Sequence, residues 1–410
     1  MGSKLNLHII FLLFFLLYVV EAQHFDVTKY GGAAGADITQ ALLNAWKDAC
    51  AATGTTQIVI PKGTYTLNEV KFLGPCKGEI NFRIEGVFLG PCKGQINFWI
   101  EGVVQAPPDP IAIKSDVWVV FETITGLTEF GGGTFDSQGQ KAWTVNDCSM
   151  HFDTCWILPT NVRFNFITNG LIHDITSLNS KMFNLFLLGG NNVTFQHITV
   201  TAPANSLNTD GIHIGRSTGV KILDATIGTG DDCVSVGDGT KDLIVSKVTC
   251  GPGHSISIGS LGNYDNEEPM AGLHVSDCTL TNIDNGVRIK TWPNSKPGSA
   301  SDISFTGIVM NNVSNPIILD QNYCPHAIYD TQPSRVKVSG VNFDNIKGTL
   351  ATQQCVILSC SPIVPCENVE IGEINLVYNG PLGPGNSTCL NVKPTFTGHQ
   401  VPPVCAPPEA

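Results

Sequence analysis

VKILDATIGTGDDCVSVGDGTKDLIVSKVTC, residues 220–250, holds two strand-like runs separated by a spacer rich in Gly and Asp. The runs VKILDATI (220–227) and LIVSKVTC (243–250) each carry four or five apolar residues in eight, many of them β-branched. Gly and Asp in the spacer end one strand and turn the chain toward the next. The same run recurs in both directions. LIHDITSL (171–178) and VTFQHITV (193–200) precede it, and LHVSDCTL (273–280), ISFTGIVM (303–310), VKVSGVNF (336–343) and VEIGEINL (369–376) follow. Their starts lie 22, 27, 23, 30, 30, 33 and 33 residues apart. Repeats at that period mark a solenoid, in which each coil buries its apolar face only by stacking on its neighbours. Strand pairs without amphipathic helices between them select an all-β parallel β-helix over leucine-rich or helical repeats. The competing reading is a sandwich with irregular loops.

The chain has 410 residues, of which 42% are hydrophobic and 14% charged, against about 25% charged in an average domain. That excludes disorder, and Glu, Lys and Arg are too scarce to cover the surfaces of a helical bundle. The net charge of −12 argues against nucleic acid as a partner, because phosphate contacts need a basic face. Gly at 42 and Pro at 24 supply many turns. Near the front, FLGPCKGEINFRIEGV (72–87) is followed at once by FLGPCKGQINFWIEGV (88–103), differing only at Glu79/Gln95 and Arg83/Trp99. This tandem duplication adds part of a coil, or is an artefact of the gene sequence. A solenoid accepts such an insertion readily, since its contacts are between nearest neighbours. One helix is expected near the front, capped by Asp37 and running through ITQALLNAWKDACAA, to cover the exposed first coil.

Lys4 precedes an apolar run from Leu5 to Val20, and Val20-Glu21-Ala22 has the small-residue spacing of a cleavage site. Residues 1–22 therefore read as a secretory signal peptide, and 23–410 as one domain. A membrane anchor is the alternative, but the run is short of the roughly 20 clean apolar residues needed to span. Fourteen Cys in a secreted chain favour disulfides over zinc. Close pairs are Cys148/Cys155, Cys233/Cys250, Cys360/Cys366 and Cys389/Cys405, while Cys50 can pair with only one of the duplicated Cys76 and Cys92. Asn192, Asn312 and Asn386 lie in glycosylation sequons.

Four polar segments interrupt the apolar runs: Asn208-Thr209-Asp210, Gly230-Asp231-Asp232, Gly253-His254-Ser255 and Arg288-Ile289-Lys290. Asp210 to Asp232 and Asp232 to His254 are each 22 residues, one coil, so these side chains should stack on neighbouring rungs about 4.8 Å apart. Arg288 and Lys290 alternate with Ile289 and should share one face. One wall then carries three carboxylates, an imidazole and two cations. Such a set suits glycoside hydrolysis, where one acid protonates the leaving oxygen and the others hold and deprotonate water. Crowded like charges keep at least one carboxyl protonated. An inverting reaction calls for carboxyls about 6.5–9.5 Å apart, which stacking with a lateral offset could supply. The cations would bind an anionic sugar. Alone, each segment reads as a turn, a core histidine or a solvated face. Three carboxylates could also hold Ca²⁺, a reading that the interleaved histidine and cations disfavour.

At these residues the chain resembles the polygalacturonases of glycoside hydrolase family 28, and is most similar to the plant pollen-type exo-acting ones. NTDGIHI (208–214), GTGDDCVSVG (228–237), CGPGHSISIGSLG (250–262) and GVRIKTWP (286–293) match that family's four signature blocks. IPKGTY (60–65), GGGTFDSQG (131–139) and NPIILDQNYCP (315–325) extend the likeness over nearly all the mature chain. The resemblance implies a right-handed parallel β-helix and inverting hydrolysis of α-1,4-linked galacturonan in de-esterified pectin, by a secreted wall enzyme. It implies Asp231 as general acid, Asp210 and Asp232 as the pair that holds and deprotonates water, and His254 as the group sustaining the acid's protonation. Arg288, Lys290 and Tyr323 would bind substrate, and Asn208 would orient Asp210. It implies no cofactor and no metal, unlike the calcium-using pectate lyases. A monomer is expected, with pectin as the partner and no membrane association after signal removal. Endo action and a non-catalytic pectin-binding wall protein are the rival readings. One departure is Ser255, where the family has the third residue of Gly-His-Gly; if the backbone there needs φ > 0, a serine costs about 1 kcal/mol or more.

Overall fold

Alternation along a strand decides which side chains face inward, and the register between strands decides what each one meets. The structure, a computed structural model, describes residues 23–54, 56–61, 63–70, 77, 80–84, 93–99, 103–146, 157–325 and 332–405. The expected signal peptide, Cys76, Cys92 and the Cys148/Cys155 pair lie outside these residues. Every described strand pairing is parallel, and the strands stack coil upon coil into a right-handed parallel β-helix.

One wall is a ten-stranded sheet. Its strands are β1 (Val117–Glu122), β2 (Thr160–Asn165), β3 (Leu185–Leu188), β4 (Ile212–Gly215) and β5 (Val234–Val236), then β6 (Ile256–Leu261), β7 (Asn285–Thr291), β8 (Asn315–Asp320), β9 (Gln354–Ser359) and β10 (Asn386–Leu390). The remaining sheet strands form a second, 24-stranded parallel array that carries the recurring runs. Inward residues of the first wall are fully buried aliphatics: Ile212 and Ile214 stack on Val234 and Val236, then Ile256 and Ile258, then Val287 and Ile289. Aromatics fill the interior nearer the front, where Phe121 stacks on Phe164 with ring centres 4.9 Å apart.

The corners of the coil explain where Asn, Asp and Gly fall. Asn169, Asn192, Gly219, Asp242, Gly272, Asp302, Gly340 and Asn368 form one column, and all have φ between 52° and 72°. Only Gly, and to a lesser degree Asn and Asp, enter that left-handed region cheaply. Asn192 also donates to the Oδ1 of Asn169 at 2.7 Å, the start of an amide ladder up the corner.

The register corrects two of the expected repeats. Val193, Val220, Leu243, Leu273, Ile303, Val341 and Val369 are equivalent, and Gly170 rather than Leu171 precedes them. The seventh run is therefore VNFDNIKG (341–348), five residues beyond VKVSGVNF (336–343). A single long strand, Val336–Leu350, contains both, so local alternation could not choose between them.

The helix α1 spans Thr39–Ala51 and buries Leu42, Ala45, Trp46 and Ala49 against the first coils. Ile38, not Asp37, holds the cap position, although the Asp37 carboxylate accepts from the Thr39 amide at 2.8 Å. A second helix, Gln140–Val145, was not expected; six residues are too few to show a helical period. Disulfides join Cys233–Cys250, Cys360–Cys366 and Cys389–Cys405, three of the expected pairs. The two copies of the duplication occupy successive rungs: Ile80–Ile84 pairs with Thr56–Ile60 on one side and with Lys93–Trp99 on the other. No helix among the described residues is long and apolar enough to cross a membrane.

Candidate active site

The turns entering β4, β5 and β6 carry three of the polar segments, and Arg288-Ile289-Lys290 lies within β7 itself. Asp210 precedes β4, and Asp231 and Asp232 precede β5 one coil on. Backbone bonds set the stack: the Gly211 amide donates to the Asp232 carbonyl at 2.8 Å, and the His254 amide donates to the Asp231 carbonyl at 2.8 Å. The coils approach so closely that two glycines are obligatory. A Cβ on Gly211 would lie 2.4 Å from the Cys233 carbonyl oxygen, and one on Gly230 would lie 2.1 Å from that of Ser206. Thr209 stitches the two turns together by accepting from the Gly230 amide at 3.0 Å and donating to the Ser206 carbonyl at 2.9 Å.

Carboxylate oxygens of Asp210, Asp231 and Asp232 all lie within 4.8 Å of one another. This is tighter than the roughly 6.5–9.5 Å expected of an inverting pair. Each carboxylate meets a different environment. Asp232 is held by Lys290, whose Nζ lies 2.8 Å from its Oδ2, and by the Ser255 hydroxyl, which donates to Oδ1. Burial alone would raise its pKa, but Lys290 and Ser255 outweigh that and hold it below the usual carboxylate range. Asp210 is pushed well above that range by burial and by the charges of Asp231 and Asp232, although Ser235 hydrogen-bonds its side chain and opposes the shift. Asp231 is the most accessible of the three, with 21% of its side chain exposed against 4% for Asp232. His254 Nδ1 lies 3.1 Å from Asp231 Oδ1, and its Nε2 lies 3.6 Å from Asp284. The bond to Asp231 raises the imidazole to about 9 against the opposing effect of burial.

Two cavities of about 390 Å³ each open on this wall and share Tyr323. Asn208, Asp210, Asp231, Asp232 and Lys290 line the first; His254, Asp284, Arg288 and Asp320 line the second. The expected site residues therefore converge, with two refinements. Lys290 is committed to Asp232, whereas Arg288 has no carboxylate partner among the described residues and lies over the Tyr323 ring at 4.8 Å. Asn208 lines the cavity and accepts from Asn146 at 3.3 Å, and the groups that hold Asp210 are others. The Asp210 carbonyl accepts from the buried Asn184 amide group at 3.2 Å, and Ser235 lines the same cavity beside it.

Ser255 is fully buried, and its φ is not positive, so the serine carries no backbone strain. Ser235 and Asn184 were not singled out from sequence, and Ser255 was read there as a departure from Gly-His-Gly and not as a group that holds Asp232. Small polar residues in an apolar strand pattern were the available signal, and that signal is common to many satisfied core positions. The acidic trio is also the one group of three or more potential metal ligands among the described residues. Lys290 places a fixed positive charge against Asp232, which weighs against a divalent ion at the same oxygens.

Residues 87–401 match the family described as Glycosyl hydrolases family 28. The chain is 51% identical to an exopolygalacturonase of Platanus acerifolia over 93% of its own length and 98% of that protein. It is 46% identical to a polygalacturonase of Nicotiana tabacum, covering 99% and 98%. Among solved structures, an endo-xylogalacturonan hydrolase from Aspergillus tubingensis superposes with a TM-score of 0.71 at 22% identity, covering 90% of this chain and 98% of that one. A hyperthermoactive exopolygalacturonase from Thermotoga maritima superposes with a TM-score of 0.70 at 15% identity, covering 92% of each. A parallel β-helix with three carboxylates on one wall, and a family match over most of its length, agree: the chain belongs to glycosyl hydrolases family 28.

Proposed function

We propose that this glycoside hydrolase is a secreted exopolygalacturonase, cleaving α-1,4-galacturonosyl bonds of de-esterified pectin in the plant cell wall from a chain end. The observation that carries the reading is the trio of carboxylates within 4.8 Å of one another, with Asp232 held as an anion by Lys290 and Asp210 pushed well above the usual carboxylate range. The exo assignment is supported by the Platanus relative and by a cleft divided into two sugar-sized cavities at Tyr323.

Asp231 protonates the glycosidic oxygen, since it is the most accessible of the three and is hydrogen-bonded to a charged histidine that can reload it. Asp232, with Asp210 beside it, holds a water molecule and takes its proton as oxygen attacks the anomeric carbon. The C–O bond breaks, the leaving sugar keeps the proton from Asp231, and the new hydroxyl has inverted configuration. Arg288 binds a substrate carboxylate, with Tyr323 beneath it as a stacking surface. The net charge of −12 repels a polyanion at long range, but screening over about 8–10 Å leaves the local cations in control of the cleft.

The test is a digest of polygalacturonic acid at mildly acidic pH, following viscosity, product size and anomeric configuration by proton NMR. Monomer release with slow viscosity loss and inversion is expected. A rapid fall in viscosity with mixed oligomers would assign an endo enzyme, and retention would overturn the water-activating pair. Asp231→Asn should lower kcat by at least about 10³-fold while the protein stays folded; turnover near the wild-type rate would remove Asp231 as the acid.

A further inference from the structure

The cavity that holds the three aspartates is walled on one side by the turns before β4 and β5. Its other side is made by the segments that leave β5 and β6, with Asp238 after β5 and Tyr264 and Glu267 after β6. Phe183, Tyr264 and Tyr323 bring phenyl-type rings to this cavity, and two of them are engaged. Phe183 stacks on His213 with centres 5.1 Å apart, and Tyr323 carries Arg288 over its ring at 4.8 Å and Lys290 at 5.2 Å. Tyr264 is 65% exposed, and its side chain makes no hydrogen bond, ion pair or ring contact among the described residues. The loop that carries it is nevertheless fixed. The Glu267 carboxylate accepts from the amides of Gly262, Asn263 and Tyr264 at 2.5, 2.8 and 3.0 Å. Arg216 spans the base of the loop, donating to the Asn266 carbonyl and to Asp238 at 3.0 Å each, and Asp238 also accepts from the Glu268 amide at 3.0 Å.

Single exposed rings are ordinary on a protein surface. This one is set apart by its place on the cavity wall and by the bonds that hold its backbone still. The charges around it do not suit a carboxylate. Asp210, Asp231, Asp232, Asp238 and Glu267 line the cavity, and Lys290, its one cation among the described residues, lies 2.8 Å from Asp232. A substrate carboxylate finds its positive partners, Arg288 and His254, in the second cavity instead. Galacturonose offers another surface. Its axial O4 leaves C3–H, C4–H and C5–H together on the opposite face of the ring, an apolar patch about as wide as a phenol. We propose that Tyr264 is a substrate-binding residue whose ring stacks on that apolar face of the galacturonosyl unit seated against the carboxylates. This inference rests on the reading of the cleft as a galacturonan site. Such a contact takes apolar area of both partners out of water, and a ring on a fixed loop has few torsions left to order. The two cavities then read different parts of the substrate, charge at Arg288 and ring face at Tyr264.

The experiment compares wild type with Tyr264→Ala, Tyr264→Leu, Tyr264→Phe and Arg288→Ala on trigalacturonate, at about 0.05 M and about 0.5 M NaCl. Tyr264→Ala should raise KM about tenfold with kcat within about twofold, as expected for one stacked ring that binds ground and transition states alike. Tyr264→Leu is apolar but not flat and should lose nearly as much, while Tyr264→Phe should recover most of the loss. The factor for Tyr264→Ala should be equal at both salt concentrations, whereas that for Arg288→Ala should shrink in high salt, where charge contacts are screened. An unmoved KM in Tyr264→Ala would overturn the proposal. Tyr264→Phe as weak as Tyr264→Ala would also overturn it by giving the role to the hydroxyl, and so would a Tyr264→Ala factor that shrinks with salt. The contact itself is read by saturation-transfer NMR on Asp231→Asn protein, in which the sugar persists. The H3, H4 and H5 protons of one unit should take up saturation from the tyrosine rings, and adding Tyr264→Ala should abolish it. Transfer unchanged by Tyr264→Ala would count against the stacking. If Tyr264→Ala does not fold, Tyr264→Leu against Tyr264→Phe carries the comparison. Wild-type protein that binds trigalacturonate without cleaving it would overturn the functional reading and leave the NMR contact to decide this one; protein that does not bind it would overturn both.

Discussion

Ser255 shows how one side chain can be misjudged from sequence and then explained by geometry. It stands where the resemblance in sequence leads us to expect glycine, and a glycine there would suggest a strained backbone. The backbone is ordinary, and the hydroxyl is used: it donates to Asp232 opposite Lys290, so both oxygens of that carboxylate are bonded. Ser255→Gly should therefore lower kcat/KM by about tenfold, the value of a hydrogen bond to a charged group, and not improve the enzyme. An equal or faster variant would show the bond to be idle. The histidine beside it makes a different prediction. Its folded pKa of about 9 lies above the ordinary value of 6.5, so its contribution to stability is complete below 6.5 and is lost as pH rises through 9. The difference in melting temperature between wild type and His254→Asn should shrink steadily over that window. A constant difference would mean that the contact with Asp231 does not depend on the charge of the imidazole. The identities of the three aspartates, His254, Arg288 and Lys290 were legible because they recur at coil spacing. Asn184 and the use of the Ser255 hydroxyl were not, because their importance depends on which atom sits one rung away.

Strands and turns in this chain were legible as types, and their phase was not always. Alternation identified the recurring runs. It placed one of them a residue late and another five residues early, since a long uniform strand offers several phases of equal local quality. Only the contact with the next coil chooses among them. Alternation fails in a more instructive way at Glu129. This residue takes an inward position on Thr125–Phe130 opposite Ile172, is fully buried, and has no hydrogen-bond partner for either oxygen among the described residues. Burial raises its pKa well above normal and keeps it neutral. Glu129→Leu should stabilise the fold by about 1–3 kcal/mol, the cost of burying an unsatisfied polar group. The sign of its pH dependence is fixed. An acid with a raised folded pKa binds a proton in the native state that the unfolded chain has released, so wild-type stability falls as pH rises above about 4.3. The advantage of Glu129→Leu in urea titrations should accordingly widen from that pH upward. A gap that stays flat would mean that Glu129 is ionised or paired in the folded protein.

At the scale of the whole molecule, the solenoid separates what is catalytic from what is merely stacked. The duplicated segment occupies two rungs of the larger array near the front, while the carboxylates lie on the other wall in the turns before β4 and β5. Because each coil touches only its neighbours, deleting residues 72–87 should leave kcat/KM on polygalacturonate unchanged within about twofold, with the second copy pairing directly to Thr56–Ile60. A large loss of activity in folded protein would show that the front coils reach the cleft. The register makes the exchange plausible: Phe82 pairs with Phe98 and Arg83 with Trp99 along the backbone, so these two positions of the first copy already lie beside their own duplicates. The added copy is shorter than the other repeats, yet its strand Lys93–Trp99 still pairs with Thr125–Phe130 on the far side, with one register shift between Lys93 and Ile96. For heredity this has a plain meaning. A slip of the copying machinery that would wreck a closed barrel becomes here a displacement of one end by a single step, and a lineage can carry such slips silently until a later change gives the spare rung a use.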